Sequence, residues 1–399
     1  VHASLFTGKY PSEHGATQEN PYLEGARTLA ESLAAAGYDT ACYSSNAWIT
    51  PYTNLTAGFD DQDNFFKIMP GEFLSGPLAR AWRTLNDNDR LRGVADRLVQ
   101  VGNKFHEYFA AGEGGDTKTP AVVDRTIEFV DDADDFFAFI NLMDAHMPYH
   151  PPDEYAEEFA PGVDSSAVCQ NSKEYNAGAR DIDDGEWDDI RGLYDAEIRH
   201  MDAELERLFT HLQDTGQWED TTVIVCADHG ELHGKHGLYG HEFCIYEPLV
   251  NVPLMVKHPA VEPGRDEGTT VELLDLYHTV LDAMGAEGLD VALDSTRSLL
   301  SADYRDFAEP IGDVDRQETA FVEYHQPVVE LRQLESKASG AGIELPTDSR
   351  FYSRMGAARR PDAKFIHNTR IGDEGYLLDE DPGEQTNVAG ESEEIAALS

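Results

Sequence analysis

The sequence predicts an α/β sandwich with a mainly parallel central sheet and a small C-terminal antiparallel sheet subdomain, and three observations carry that expectation. The run Thr221 to Ala227 is short, apolar and β-branched, and Asp228 with Gly230 punctuates its end, so it reads as a buried parallel strand stopping at a loop. Strand-like and helical runs alternate. Phe136 to Met143 reads as a second buried strand, and Ile190, Tyr194, Ile198, Met201, Leu205, Leu208 and Leu212 recur at about the 3.6-residue period of an amphipathic helix that Gly216 ends. Beyond about residue 300 the strands shorten to Phe321–Tyr324, Lys364–Asn368 and Tyr376–Leu378, separated by polar stretches that suit a small antiparallel sheet. A boundary near residue 305 then divides a catalytic domain, residues 1–305, from a subdomain, residues 306–399.

The remaining elements follow from local signals. Thr28 to Gly37 reads as a helix with Leu29, Leu33 and Ala36 on one face and Gly37 as its stop, and Asp39 to Ser45 follows as a strand. Residues from about 76 to 130 read as helical with a charged insertion, and Val122, Ile127, Phe129 and Val130 lead into the aspartate-rich turn Asp131–Asp135. Polar composition makes Pro161 to Glu186 a mobile loop. Thr269 with Glu272 gives a capping-box signature before Leu273, Leu274, Tyr277, Val280, Leu281 and Met284, and Gly285 closes that helix.

Composition narrows the partners. Acidic residues number 76 against 30 basic ones in 399, a formal charge of −46 scattered along the chain, which points to the solvated surface of a halophile. The chain still carries 41% hydrophobic and 10% aromatic residues, enough apolar surface to fold. At molar ionic strength the Debye length falls to about 3 Å, so an anionic substrate can approach such a surface. Nucleic acid and anionic membranes are poor partners, because no basic patch neutralises phosphates. Cys42, Cys169, Cys226 and Cys244 lie far apart with no CxxC pair, which argues for core positions and against a zinc ribbon or disulfide framework. No apolar run reaches the roughly 18 residues of a spanning helix, and no signal peptide opens the chain. The default compartment is cytoplasmic, although a leader would sit upstream of Val1.

The chemistry gathers at strand ends, where open α/β sheets place their ligands. Asp228 suits a hard cation and a neutral His229 suits many divalent metals, and adjacent in sequence they can bind one ion or split between two. Asp144, Ala145, His146, Met147, Pro148 and Tyr149 follow the strand Phe136–Met143 and should emerge at the same sheet edge. His236, His241 and Glu231 lie close by in sequence. Histidines converging on one edge make a site.

Taken together these motifs resemble the sulfatase family of the alkaline phosphatase superfamily, in order over nearly the whole chain. Ala3 to Gly8 with Pro11, His14 and Gly15 is similar to the tail of the family signature, Cys/Ser-x-Pro-Ser-Arg followed by Leu-Thr-Gly. Thr28 to Thr40 resembles its helix and Gly-Tyr-x-Thr strand, and Gly58, Phe59, Asp60 its next turn. His146-Met147-Pro148-Tyr149 resembles His-x-Pro-Phe/Tyr, and Tyr194 to Asp202 the Tyr-x-x-x-Ile-x-x-x-Asp helix. Asp228-His229-Gly230 resembles the metal motif, Pro253 to Val256 the strand after it, Asp275 to Leu281 the Asp-Leu-x-x-Thr-x-Leu helix, and Tyr376 to Ala389 the closing, structural Asp-Pro-x-Glu-x-x-Asn.

The resemblance implies an alkaline-phosphatase-like fold and assigns roles. Asp228 and His229 become half of a metal shell, and His146 contacts the ester anion or protonates the leaving group. His241 takes the place of a lysine that binds sulfate oxygens, a task a protonated imidazole can share. His2 stands where the signature has arginine, and Ser45 to Ala47 replaces Lys-x-His. The nucleophile, formylglycine in sulfatases or threonine in phosphoglycerol transferases, would lie three residues upstream of Val1, preceded by the first strand and its acidic ligands, so the chain reads as N-terminally truncated and haloarchaeal-like. His236 is open between a supporting role and a simple turn, His14 caps the loop after the signature, and Glu231 is exposed or supports a ligand. The implied function is hydrolysis of small-molecule or glycan sulfuric esters with one divalent cation, calcium before manganese or magnesium. A phosphoglycerol transferase or phosphodiesterase on the same fold is the alternative enzyme, and a non-catalytic remnant the alternative from another class.

Overall fold

A computed structural model describes residues 1–65, 118–266, 268–285, 293–302, 304 and 318–399. In chain order the helices are α1 (His2–Thr7), α2 (Pro11–His14), α3 (Leu29–Ala36), α4 (Thr119–Asp132), α5 (Asp153–Phe159), α6 (Ser172–Asn176), α7 (Asp184–Asp214), α8 (Glu247–Val250), α9 (Asp275–Ala283), α10 (Val328–Gly340) and α11 (Glu393–Ala396). The strands are β1 (Asp39–Ser44), β2 (Asp61–Asn64), β3 (Phe136–Asn141), β4 (Val223–Cys226), β5 (Leu232–His233), β6 (Tyr239–Gly240), β7 (Leu254–Lys257), β8 (Ala320–Tyr324), β9 (Met355–Arg359), β10 (Ala363–Asn368) and β11 (Glu374–Leu377). The helix expected from residue 76 lies outside the described residues as far as 117, and so does the boundary expected near 305. The chain forms two compact units, one of residues 33–170 and 183–215, the other of residues 1–32, 171–182 and 216–399.

The first unit holds the parallel sheet, in the order β2-β1-β3. Ala41 pairs with Asp61 and with Ala138, and the register runs in parallel from there. Central β1 is buried from Thr40 to Ser44 with no alternation, as expected of a strand covered on both faces, whereas β3 is half-buried. Asp183 caps α7 by accepting the Glu186 N–H at 2.9 Å. Of the expected stripe Ile190, Leu208 and Leu212 are buried and Ile198 is exposed, while Trp187, Leu193, Ala196, Glu197 and His200 complete the buried face. The apolar period of the sequence missed part of it because two buried positions are the ionisable Glu197 and His200.

The second unit holds an antiparallel sheet ordered β11-β10-β9-β8. Met355, Ala357, Ile366, Tyr376 and Leu378 of this sheet region pack with Leu232, Cys244, Tyr246 and Leu249 into one core. Strand β4, expected to be parallel and buried, is half-buried and pairs antiparallel with β7, Val225 opposite Met255; an apolar run does not encode its partner's direction. The capping box expected of Thr269 and Glu272 does not form. Thr269 donates to Asp266, and Glu272 instead accepts from the Tyr10 hydroxyl at 2.6 Å, the Phe321 N–H at 2.8 Å and Arg297 at 3.2 Å. Within Pro161–Glu186, expected as a mobile loop, Asn171 caps α6 by accepting from Lys173 and Glu174, and Val168, Cys169 and Ser172 are buried. Strand β9 and helix α10 had no counterpart in the sequence reading. The closing motif is structural: Asn387 Oδ1 accepts from Gly375 and Ala389, and Glu384 meets the fully buried Lys364 at 3.0 Å.

Within the first unit, α5 and α7 approach closely where Gly192 has no side chain. A Cβ there would stand 2.6 Å from the Phe159 carbonyl oxygen and 3.1 Å from Ala160 Cβ. Gly192→Ala should therefore force the helices apart and cost about 1–3 kcal/mol, read as a fall in the urea midpoint; an unchanged midpoint would show that the helices yield freely.

Candidate active site

Strand β4 ends at Cys226, and the turn after it carries the acidic and imidazole groups. The His229 N–H donates to Asp228 Oδ1 at 3.0 Å. His229 Nδ1 lies 2.9 Å from the Gly230 carbonyl, which only accepts, so Nδ1 carries the proton and Nε2 is left with its lone pair. That nitrogen is 3.8 Å from Asp228 Oδ2, and His2 Nε2, from α1, is 3.8 Å from the same oxygen. Gly230 is required by space: its Cβ would fall 2.0 Å from the Pro248 carbonyl oxygen, and its N–H donates to Leu249 at 2.9 Å.

The next turn brings His241 over this group. Its ring stacks on His229, centroids 4.2 Å apart. Gly240 sits at φ 92°, and a Cβ there would collide with Glu242, so only glycine suits the position. Phe243 also holds a positive φ, 71°, secured by its N–H to the Tyr324 hydroxyl at 2.8 Å and by its ring against Phe351. His241 Nδ1 meets Glu231 at 3.3 Å and Nε2 meets Glu242 at 3.9 Å, while Lys173 of α6 is bonded to the same Glu242 oxygen. Both carboxylates are buried, so Glu231 supports His241 and is not exposed.

Electrostatics separate the imidazoles. Burial pushes His2 down to about 4 against the pull of Asp228, which leaves it a neutral hydrogen-bonding group at pH 7. Burial would lower His241 as well, but Glu242 and Glu231 hold it up at about 9, so it is a cation at neutral pH. Burial raises Asp228, and His229 and His2 more than offset that, leaving the carboxyl below its ordinary value. Burial lowers Lys173, and Glu242 outweighs it.

His146 belongs to the other unit, where its exposed ring has Nδ1 2.6 Å from the Met147 carbonyl, so Nε2 is again the nitrogen with the lone pair. His236 stacks on Tyr246 at 3.8 Å, and burial lowers its pKa. His14 accepts the Ala16 N–H through Nδ1 at 3.0 Å and, pushed down to about 4 by burial, turns its Nε2–H toward Ser4 at 3.1 Å; it holds the loop and does not activate the serine. Cys244 is a core thiol raised to about 12 by burial, and Cys226 is half-buried at about 11. Sequence reasoning did not find Lys173 or Glu242. No metal motif includes them, and the only available signal was a lysine in an otherwise acidic tract.

Among the described residues no group of three His, Cys, Asp or Glu side chains is spaced as a complete metal shell. Asp228 and His229 nonetheless present a carboxylate oxygen and a bare imidazole nitrogen, the donor types of a divalent site, with the second ring nitrogen tied to a carbonyl as in metal-ligating histidines.

The fold is shared with solved proteins that include a phosphonate monoester hydrolase. A solved protein in complex with its substrate D-glucosamine-2-N,6-O-disulfate superposes with a TM-score of 0.64 at 18% identity, over 99% of this chain and 84% of that one. The phosphonate monoester hydrolase of Agrobacterium radiobacter gives 0.64 at 19%, over 99% and 82%. The sulfatase family matches residues 1–286, and the chain belongs to that family. Arylsulfatase K of Xenopus laevis is 35% identical over 99 residues, 25% of this chain and 18% of the relative. The multifunctional alkaline phosphatase superfamily protein PehA of Trinickia caryophylli is 27% identical over 336 residues, 71% of this chain and 63% of the relative. The chain thus spans less than two thirds of either curated relative.

The Lys173–Glu242 pair is buried enough for its loss to be felt. Lys173→Met leaves the buried Glu242 facing His241, 3.9 Å away, and should cost about 1–3 kcal/mol, with Lys173→Arg restoring part of it, both read by urea unfolding. A loss under about 0.5 kcal/mol, the size of an exposed pair, would show that water already screens Glu242.

Proposed function

We propose that the protein is a metal-dependent sulfuric ester hydrolase. One observation carries the reading: Asp228, His229 and a cationic His241 converge after β4, with the His229 Nε2 lone pair beside the Asp228 carboxylate. Asp228 and His229 would hold the cation, calcium in the first instance and manganese or magnesium otherwise. When bound, such an ion draws off charge developing on the ester oxygens. The His241 imidazolium donates to the non-bridging oxygens in the role of the family's lysine, and His2 adds one neutral N–H. His146, with Nδ1 committed to the Met147 carbonyl, delivers or receives the leaving-group proton through Nε2. In this reading residues 1–305 are catalytic and 306–399 a subdomain, the substrate is a small or glycan sulfate ester, the acidic surface serves a salt-rich, cytoplasmic setting, and the source is haloarchaeal-like.

A phosphodiesterase or phosphoglycerol transferase is the second reading, because a phosphonate monoester hydrolase shares this fold. The test offers 4-nitrophenyl sulfate and bis(4-nitrophenyl) phosphate in molar KCl with calcium or manganese. Sulfate turnover is expected, with Asp228→Ala abolishing it and His146→Ala lowering turnover of phenyl sulfate, whose leaving group is more basic, by about 10²–10⁴-fold, both folded by circular dichroism. Phosphodiester turnover without sulfate turnover would overturn the first reading, and turnover of neither ester would favour the non-catalytic remnant.

A further inference from the structure

We propose that Glu197 and His200, three residues apart on α7, are positioning residues that fix the loop carrying His146. The inference rests on the leaving-group role given to His146 above and concerns the first unit alone.

His146 sits in the loop 144–150, and that loop meets α7 on both sides of it. On the N-terminal side Asp144 Oδ2 lies 3.7 Å from His200 Nδ1. On the C-terminal side the His150 N–H donates to Glu197 Oε1 at 2.7 Å. Between these, the fully buried Tyr149 ring meets Tyr194 edge-on at 5.6 Å. Tyr194, Glu197 and His200 succeed one another at i, i+3 and i+6, one face of a helix. Other segments close the frame. Gln170 accepts the Tyr149 N–H and donates to its carbonyl, both at 2.9 Å, His150 Nδ1 meets Ser165 at 2.9 Å, and the Tyr155 ring lies 5.4 Å from that of His200.

The composition of that face is the second argument. Glu197 is 3% and His200 5% exposed. Burying an acid and an imidazole in a helix core costs free energy that an apolar residue would not, and what these two gain is contact with the loop on either side of His146. Burial, with Asp144 close by, pushes the Glu197 carboxyl well above its ordinary range. That favours the neutral form, whose carbonyl oxygen a glutamine reproduces. An acid–base group needs placement within about 0.5 Å, and displacement by 1 Å can cost about 10²-fold.

Sulfate esters with leaving groups of rising basicity, 4-nitrophenyl, phenyl and then alkyl, test this. Loss of a proton donor hurts basic leaving groups most, whereas loss of folded protein lowers all rates alike. Glu197→Ala and His200→Leu should each leave 4-nitrophenyl sulfate turnover within about threefold and lower phenyl sulfate turnover by about tenfold or more, mainly in kcat. Glu197→Gln should restore the parent profile. Combined with His146→Ala, either variant should add no further leaving-group dependence. Equal losses for every ester, or losses that multiply with His146→Ala, would overturn the positioning role. A flat profile in His146→Ala itself would remove the leaving-group role of His146 and the inference with it, a failure distinguishable from that of Glu197. Should Glu197→Ala not fold, His200→Leu and Glu197→Gln still decide the question.

Discussion

One backbone carbonyl sets the chemistry at the end of β4. By accepting a hydrogen bond from Nδ1–H of His229, Gly230 leaves the Nε2 of the neutral ring with its lone pair beside Asp228, and a carboxylate oxygen next to such an imidazole nitrogen is an arrangement that attracts a cation. The same turn allows no side chain at Gly230, so the carbonyl and the imidazole are fixed together. The neighbouring turn holds a positive charge instead. Three histidines of this unit show the contrast: desolvation pushes His2 and His14 down to about 4, whereas His241 is held at about 9 because Glu231 and Glu242 outweigh the desolvation that would neutralise it. Lys173 in turn stabilises Glu242. The charge of the His241 imidazole is thus kept by carboxylates.

Much of the frame was legible in the sequence because it is written in local pattern. Gly37 and Gly216 mark helix ends, a β-branched run marks β4, and Asp228-His229-Gly230 marks the turn after it. What failed was non-local. The direction of β4 depends on β7, some thirty residues on, and no periodicity carries that information. Glu272 fits a capping box by spacing, but Arg297, Tyr10 and Phe321 compete for its carboxylate and win, because a buried acid is best placed against a buried guanidinium.

The support of the site was the least legible part. Glu197, His200, Lys173 and Glu242 break the rule that buried positions are apolar, so a hydrophobic pattern passes over them. In a chain with 76 acidic residues, most of them solvated, nothing in the sequence separates a buried glutamate from its exposed neighbours. Polar residues on a core face are nonetheless where local consistency gives way to function. Glu197 and His200 interrupt the apolar face of α7 where the His146 loop leans on it, and Glu231 and Glu242 flank His241.

The central claim is that Asp228 and His229 hold a single divalent cation. Calorimetric titration of calcium into the protein and into Asp228→Asn tests it most directly, in molar KCl so that diffuse attraction to the acidic surface is screened to about 3 Å. The account predicts one saturable site in the parent protein and none in the variant; equal binding by both would contradict it.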